Sequence, residues 1–453
     1  MKKGLKKKVV SKRSVERIDA EKKSASSGRN GAGKKKLAIV GTGIAGMGIA
    51  HFLKDRYDLT VYEKGNYVGG HSNTVEADED GTAIPIDTGF IVFNHVTYPN
   101  LKRLFDELDV PTKKSSMSFS VQNVPKGLEF CGSGIGGLFA QKRNYINPKF
   151  LRLLYNINRF NGEAPGILEN SKYLNLTLRE YVDEAGYHPD LLSDYLIPMS
   201  SAVWSTPDEK MAEFPAYSLV RFFLNHGFLG LNTQHQWYTV DGGSREYVKR
   251  LIAPIRDRIR LNAQVRAVRQ EDGKVRVVLK NGESSLFDKV VLATHADVSL
   301  KLLKKPTALQ KELLREFEYQ KNVATLHTDD SSMPKTKSCW SSWNYRIEEI
   351  RGEKVSSTVY WMNSLQNVSR RRNYFLSIND PGTADRRKII QEIEYDHPLF
   401  TLGSLRAQSR LQELNAEGNI HFCGAYFRNG FHEDGLWSAQ VLAQSLLGKG
   451  VRN

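Results

Sequence analysis

Leu37-Ala38-Ile39-Val40-Gly41-Thr42-Gly43-Ile44-Ala45-Gly46, then Met47 to Leu53, then Leu59-Thr60-Val61-Tyr62-Glu63, is the stretch that decides the fold. An apolar run, a glycine turn, a small-residue stretch and a second apolar run ending on an acid read as strand, turn, helix, strand. The glycines permit the tight turn, let backbone approach a pyrophosphate and let the helix pack closely on the sheet. The helix N-terminus offers unpaired N–H groups and the positive end of its dipole to phosphates. Glu63 follows Gly43 by twenty residues, the spacing of a carboxylate that accepts ribose hydroxyls. The motif therefore predicts an α/β, Rossmann-like unit that binds an ADP-containing dinucleotide.

The rest of the chain is large enough for a sizeable core. Its 453 residues are 40% hydrophobic and 25% charged, the balance of a soluble globular protein. No run reaches the roughly 18 apolar residues of a membrane span. Cys131, Cys339 and Cys423 are far apart, odd in number and fit no C-x-x-C or zinc spacing, which indicates a reducing compartment and no disulfide framework. The net charge of +15 is unevenly spread: residues 1–36 hold fourteen Lys or Arg against three acids, leaving only +4 for the other 417. Few apolar residues accompany that charge, so a disordered basic tail is expected over 1–35, with no apolar core of a secretory signal. A polybasic tail can adhere to anionic lipid or to nucleic acid, and a solvated extension is as good a reading.

Downstream, Gly69-Gly70-His71 places a second glycine pair soon after Glu63. Residues 73–94 read as strand, Gly turn and strand, and Tyr98 to Leu108 as an amphipathic helix. Gly132-Ser133-Gly134-Ile135-Gly136-Gly137 repeats the glycine spacing, but no β-rich strand precedes it and no acid follows at the right distance, so it reads as a loop. Residues 148–230 are helical and rich in aromatics, which at helical spacing are more often core than substrate wall. The βα pattern returns at Trp237-Tyr238-Thr239-Val240, with Asp241-Gly242-Gly243-Ser244 as turn and helix cap and Tyr247 to Ile259 as helix. Strands follow at 265–268, 275–279, 290–293, 323–327, 355–361 and 419–424. A loop through Gly430 to Gly435 precedes a closing helix, Leu436 to Leu447.

Taken together, the core resembles the glutathione-reductase-type flavoproteins of the amine oxidase and phytoene desaturase branch. The strings that carry the likeness are Gly41-x-Gly43-x-x-Gly46, Glu63 with Gly69-Gly70-His71, Val290-Val291-Leu292-Ala293-Thr294 and Gly424-Ala425. Within that branch the chain is similar to flavoproteins found beside or fused to cyclopropane-fatty-acyl synthases. That closer likeness rests on Asp87-Thr88-Gly89-Phe90-Ile91-Val92-Phe93-Asn94, Trp340-Ser341-Ser342-Trp343-Asn344-Tyr345-Arg346, Tyr360-Trp361-Met362-Asn363 and Phe431-His432-Glu433-Asp434-Gly435-Leu436.

The resemblance implies FAD as cofactor. It implies a loop of Gly41, Thr42, Gly43, Ile44, Ala45 and Gly46 around the diphosphate, and Glu63 with Lys64 at the adenosine. Gly69, Gly70 and His71 would line the diphosphate again, Gly89, Phe90, Ala293 and Thr294 would lie along the cofactor, and the Val265 main chain would meet adenine. Gly424 and the segment Glu433, Asp434, Gly435 and Leu436 would face the flavin, where a helix N-terminus favours negative charge on the reduced ring. The implied organisation is a discontinuous FAD domain over 36–112, 237–315 and 415–453, with an inserted α+β substrate domain over 113–236 and 316–414. Trp340, Trp343, Tyr345, Tyr360 and Trp361 are candidates for the substrate pocket, and no catalytic side chain or metal ligand is assigned.

Other chemistries fail on their motifs: there is no G-x-S-x-G elbow, no G-x-x-x-x-G-K-[ST] loop and no H-E-x-x-H. The expected activity is hydride removal from a C–H bond of a fatty-acyl chain, in a cytoplasmic protein able to touch the anionic inner membrane surface through residues 1–36. The alternatives are oxidation of a small soluble amine, or a non-catalytic FAD-bound partner of a lipid methyltransferase. Nucleic acid binding has only the charge of the tail in its favour.

Overall fold

A computed structural model of the chain describes residues 33–230, 233–416 and 418–448, so nearly all of the basic tail expected over 1–35 lies outside it. The described chain enters on β1 (Lys36–Val40), turns through glycine into α1 (Ile44–Leu53) and returns on β2 (Asp58–Tyr62). A hairpin of β3 (Thr74–Glu79) and β4 (Thr82–Asp87) precedes α2 (Pro99–Glu107). Then come β5 (Phe119–Asn123) and β6 (Leu128–Cys131), followed by a helical layer that includes α3 (Pro148–Glu163) and α4 (Ala216–His226). After α5 (Arg245–Ile252), β7 (Ile259–Arg260) and β8 (Lys289–Leu292), five strands follow: β9 (Glu318–His327), β10 (Trp343–Ile350), β11 (Glu353–Trp361), β12 (Phe375–Ile378) and β13 (Ile389–Leu399). The described chain closes on β14 (Ile420–Phe422) and α6 (His432–Leu446).

Two sheets dominate. The first is all parallel, in the order β7-β2-β1-β8-β14. Four of the five β1 side chains are buried, as a strand covered on both faces requires. One cover is the α1–α6 pair. There a Cβ on Gly48 would stand 2.9 Å from Leu436 Cδ1, so the missing side chain sets the close approach. On the other side an antiparallel meander, Val265–Glu271, Lys274–Leu279 and Ser284–Phe287, contributes to the same apolar cluster as Ala38, Val40 and Leu292. The second sheet has seven strands in the order β13-β9-β12-β11-β10-β5-β6. The β3–β4 hairpin packs on it through Ile84, Ile86, Leu326 and Leu376. Among the described residues no helix is long and apolar enough to cross a membrane.

Three local expectations are corrected. A strand, β6, does precede Gly132, and residues 134–138 form one short helix rather than a loop. That strand is an edge of the seven-stranded sheet, and Gly137 is pressed against Cys131. The closing helix starts at His432, not Leu436, because the Asp434 carboxylate accepts the Phe431 N–H at 2.9 Å and caps the first turn. Gly435 is therefore inside the helix, where a Cβ would stand 2.8 Å from Ile44 Cγ2. Ser244 does not cap α5 with its side chain; its hydroxyl donates to Asp87 instead.

Candidate cofactor and active site

The glycine loop lies at the carboxyl end of β1. Gly41 has φ +101°, and its N–H donates to the Tyr62 carbonyl at 2.9 Å, tying the loop to β2. A Cβ on Gly46 would overlap the Gly41 carbonyl oxygen, so the first turn of α1 touches the loop directly. Gly43 differs: a Cβ there meets nothing within 4 Å. No side chain caps α1, so its first N–H groups lack a side-chain acceptor and offer an anion site. These features fit the diphosphate of FAD.

At the end of β2, the Glu63 carboxylate accepts the N–H groups of Thr42 at 3.1 Å and Gly65 at 2.8 Å, plus the Thr42 hydroxyl. Beside it opens a cleft of about 340 Å³ lined by Lys64, Asn262, Ala263, Gln264, Leu279, Lys280 and Asn281. The Val265 side chain is buried, while its neighbours Ala263 and Gln264 line the cleft.

The second glycine pair meets the first loop: a Cβ on Gly70, at φ +59°, would stand 3.2 Å from the Gly43 Cα. His71 and Phe90 are clasped through a backbone bond, Phe90 N–H to His71 carbonyl at 2.7 Å, and Gly89 is pressed on that carbonyl. Ala293 completes this end. Its N–H donates to the Val40 carbonyl at 2.9 Å, its carbonyl lies against Gly41, and the Thr294 hydroxyl pairs with Ser299.

The structure adds residues that the linear motif does not show. The His71 ring stacks on Tyr395 at 4.9 Å, with His397 at 5.2 Å and His295 at 6.4 Å, and its Nε2 is buried without a partner among the described residues. Burial holds His71 well below the usual imidazole range. His432, the first residue of α6, stacks on Phe90 at 3.9 Å, with Ser72 Oγ at 2.9 Å and Tyr247 OH at 3.1 Å from its Nε2. Asp87 is the buried hub between the hairpin and α5. Its carboxylate accepts the Thr74 hydroxyl at 2.6 Å, the Ser244 N–H at 2.9 Å and hydroxyl at 2.7 Å, and the Gln366 amide at 2.7 Å. Asp87→Ala is expected to lower the unfolding free energy by about 3 kcal/mol or more, read from the urea midpoint, because it removes the shared acceptor of all four donors, of which the Gln366 amide keeps a second partner, Thr239. A midpoint within error of wild type would remove Asp87 from the hub.

Toward the far end, Gly424 N–H donates to Ser438 Oγ at 2.9 Å. The side chains of the Glu433–Leu436 segment are committed elsewhere. Glu433 accepts the N–H groups of Asn100 at 3.1 Å and Leu101 at 2.9 Å, closing the N-terminus of α2. Asp434 caps its own helix, and burial pushes its carboxyl up to about 7. Leu436 is fully buried between α1 and α6.

The five aromatic pocket candidates do not gather at one place. Trp343 and Tyr360 pair across β10 and β11 at 4.8 Å, and Tyr345 bonds Asp208 on the side of the helical layer. Tyr360 OH donates to the Ala202 carbonyl at 3.1 Å. Trp361, one residue on, faces the other side of the sheet by strand alternation. It meets Trp340 at 5.4 Å in a cluster with Met333 and Phe375, and both indoles donate to local groups, Asn373 at 3.1 Å and Pro334 at 2.8 Å. Trp343 Nε1 and Ser200 Oγ are buried without partners among the described residues, which leaves polar atoms available to a bound molecule.

This arrangement has known counterparts. The family model for flavin containing amine oxidoreductase matches residues 44–365. The 15-cis-phytoene desaturase of Arabidopsis thaliana is 27% identical over 293 residues, 59% of this chain and 49% of that protein. The chain thus spans about half the length of the curated relatives it matches. Among solved structures, putrescine oxidase bound to putrescine superposes with TM-score 0.66 at 14% identity, covering 92% of this chain and 99% of its own. The CLA-producing fatty acid isomerase of P. acnes gives 0.65 at 13%, with coverage of 92% and 99%. Both likenesses establish the fold. The chain belongs to the flavin containing amine oxidoreductase family, a family of FAD-dependent oxidoreductases.

Proposed function

We propose that the chain removes hydride from a C–H bond of an apolar substrate, a fatty-acyl chain, in a desaturase-like reaction. FAD held at the glycine loop supplies the hydride acceptor. The protein's own part is position and electrostatics. The uncapped N-terminus of α1 and the open face of Gly43 hold the diphosphate, Glu63 takes the ribose, and the Lys64 cleft takes the adenine. The N-terminus of α6 would favour negative charge on a flavin ring bound beside it.

One observation carries the apolar substrate. A single hydrophobic cluster runs from Ile44, Met47, Phe90 and Leu436 beside the loop into Trp204, Phe214 and Phe222 of the helical layer. Phe431, just before α6, stacks on Phe222 at 5.1 Å and leans on Trp204 at 5.9 Å. The nearby carboxylates, Glu433 and Asp434, are buried and accept backbone N–H groups rather than standing open in a pocket. The desaturase name of the relatives points the same way.

The test is anaerobic mixing of the purified yellow protein with acyl phospholipid or with putrescine, following the visible flavin band. Bleaching by the lipid and not by the amine is expected. Bleaching by the amine alone overturns the substrate assignment, and a colourless protein that FAD does not reconstitute overturns the site.

A further inference from the structure

The helical layer carries a surface that the redox site does not use. Between Ile135 and Tyr155 five large apolar side chains stand in solvent: Ile135 at 69% exposure, Tyr145 at 55%, Ile146 at 85%, Leu151 at 43% and Tyr155 at 67%. Single exposed apolar residues are ordinary, whereas a cluster marks a surface that meets something. Aromatic packing holds these segments to one another. Phe139 stacks on Tyr145 at 4.2 Å and packs edge-on to Phe150, in the first turn of α3, at 5.9 Å. On α3, Leu151 and Tyr155 are four residues apart and share a face turned away from the buried Phe150 and Leu153.

The charge of the same stretch is one-sided. From Phe130 to Gly162 the chain has five basic residues and no acid. Arg152 is met by Asp190 and Arg159 by Glu163, and at the rim Lys126 is met by Asp194. Lys142 and Lys149 have no carboxylate partner among the described residues. Cores of protein–protein interfaces are depleted in lysine, while interfacial membrane helices combine lysine with exposed aliphatic and aromatic side chains.

We propose that this face, residues 135–155, docks the folded chain on a bilayer bearing anionic phospholipid. Ile135, Ile146, Leu151 and Tyr155 enter the acyl boundary, and Lys142 and Lys149 reach the headgroup phosphates. The docking is distinct from adhesion by residues 1–36 and independent of the flavin chemistry, since vesicle binding and the flavin spectrum are separate readouts.

The full chain is floated with phosphatidylcholine vesicles and with vesicles of phosphatidylcholine and phosphatidylglycerol. It is compared with the full chain carrying Ile146→Glu and Tyr155→Glu, in which the basic tail is unchanged. The wild type is expected on the anionic vesicles. The double variant is expected to partition about tenfold less, with unchanged melting temperature. Lys142→Glu with Lys149→Glu should weaken binding to the anionic vesicles alone. Wild type that stays off both vesicles overturns the proposal, as does a double variant that floats like wild type, which assigns docking to the tail. A dimer in light scattering that the double variant splits, with no vesicle binding, makes the face a self-interface and also overturns it.

Discussion

Gly43→Val gives a folded protein without flavin, and Gly46→Ala gives a protein that folds poorly or not at all. These opposite outcomes follow from two glycines three residues apart in one motif. Gly43 sits at φ −65° and ψ 179°, extended backbone that any residue adopts, and a Cβ there meets nothing within 4 Å. The chain itself tolerates valine. The open space is what the diphosphate fills in the proposed complex, so a branched side chain displaces it from the N–H groups of α1. A loss of about 100-fold in FAD affinity, or about 3 kcal/mol, is expected. Gly46 has no such freedom. Its Cβ would overlap the Gly41 carbonyl oxygen and stand 2.8 Å from the carbonyl carbon, and backbone cannot rotate aside as a side chain can. The loop is pinned by Gly41 N–H to Tyr62, and the helix by Met47 N–H to the Gly43 carbonyl, each at 2.9 Å. Relief requires α1 to lift from β1, at a cost above the roughly 1–3 kcal/mol of ordinary overpacking. The ratio of flavin to protein absorbance and the urea midpoint separate the cases. Full flavin content in Gly43→Val removes the loop from the cofactor site, and a wild-type midpoint in Gly46→Ala refutes the packing argument.

The same contrast shows what the sequence makes legible. Gly41 to Glu63 is a local unit: strand, turn, helix and acid lie within thirty residues, so spacing alone reads its fold. The polar surroundings of the cofactor loop are not local. His71 finds His295 and His397, and Ser72 finds Tyr247 and His432, across 175 residues or more, and no spacing announces those meetings. Asp87 stands in a string that the resemblance quotes, yet its role as a hub needs Ser244 and Gln366 from two other segments. The division of the five aromatics is partly legible in the strand pattern. Tyr360 and Trp361 are adjacent on one strand, so they face opposite sides and cannot line one pocket together. Glu433 is the converse case: beside a glycine in a terminal motif it reads as a cofactor contact, and only the fold brings Asn100 and Leu101 to its carboxylate.

Acid is expected to unfold the flavin-loaded protein steeply below pH 6. His226, His397 and His421 are each held down at about 4, and His432 at about 3, chiefly by burial. An unfolded histidine titrates near 6.5, so between about pH 6.5 and 4 the unfolded chain binds protons that the folded chain refuses. Stability therefore falls as pH falls, by up to about 1.4 kcal/mol per pH unit for each ring. Two carboxyls oppose this. Burial raises Asp434 to about 7 and raises Asp87 as well, so the folded chain holds their protons where the unfolded chain has released them. Their stabilisation grows as pH drops through the same window. With His71 also held down by burial, the buried rings outnumber the two carboxyls, so the net effect is a loss of stability as pH falls through this window, set against a total stability of only about 5–15 kcal/mol. His421 offers the cleanest dissection. It lies on β14 with Lys289 Nζ at 3.1 Å, and that lysine adds to its low value. His421→Asn should flatten the slope of stability against pH between 6 and 5 by about 1.4 kcal/mol per unit, read from urea midpoints at each pH. A wild-type midpoint that holds steady or rises from pH 7 to 5 would show that these rings take protons without unfolding the chain.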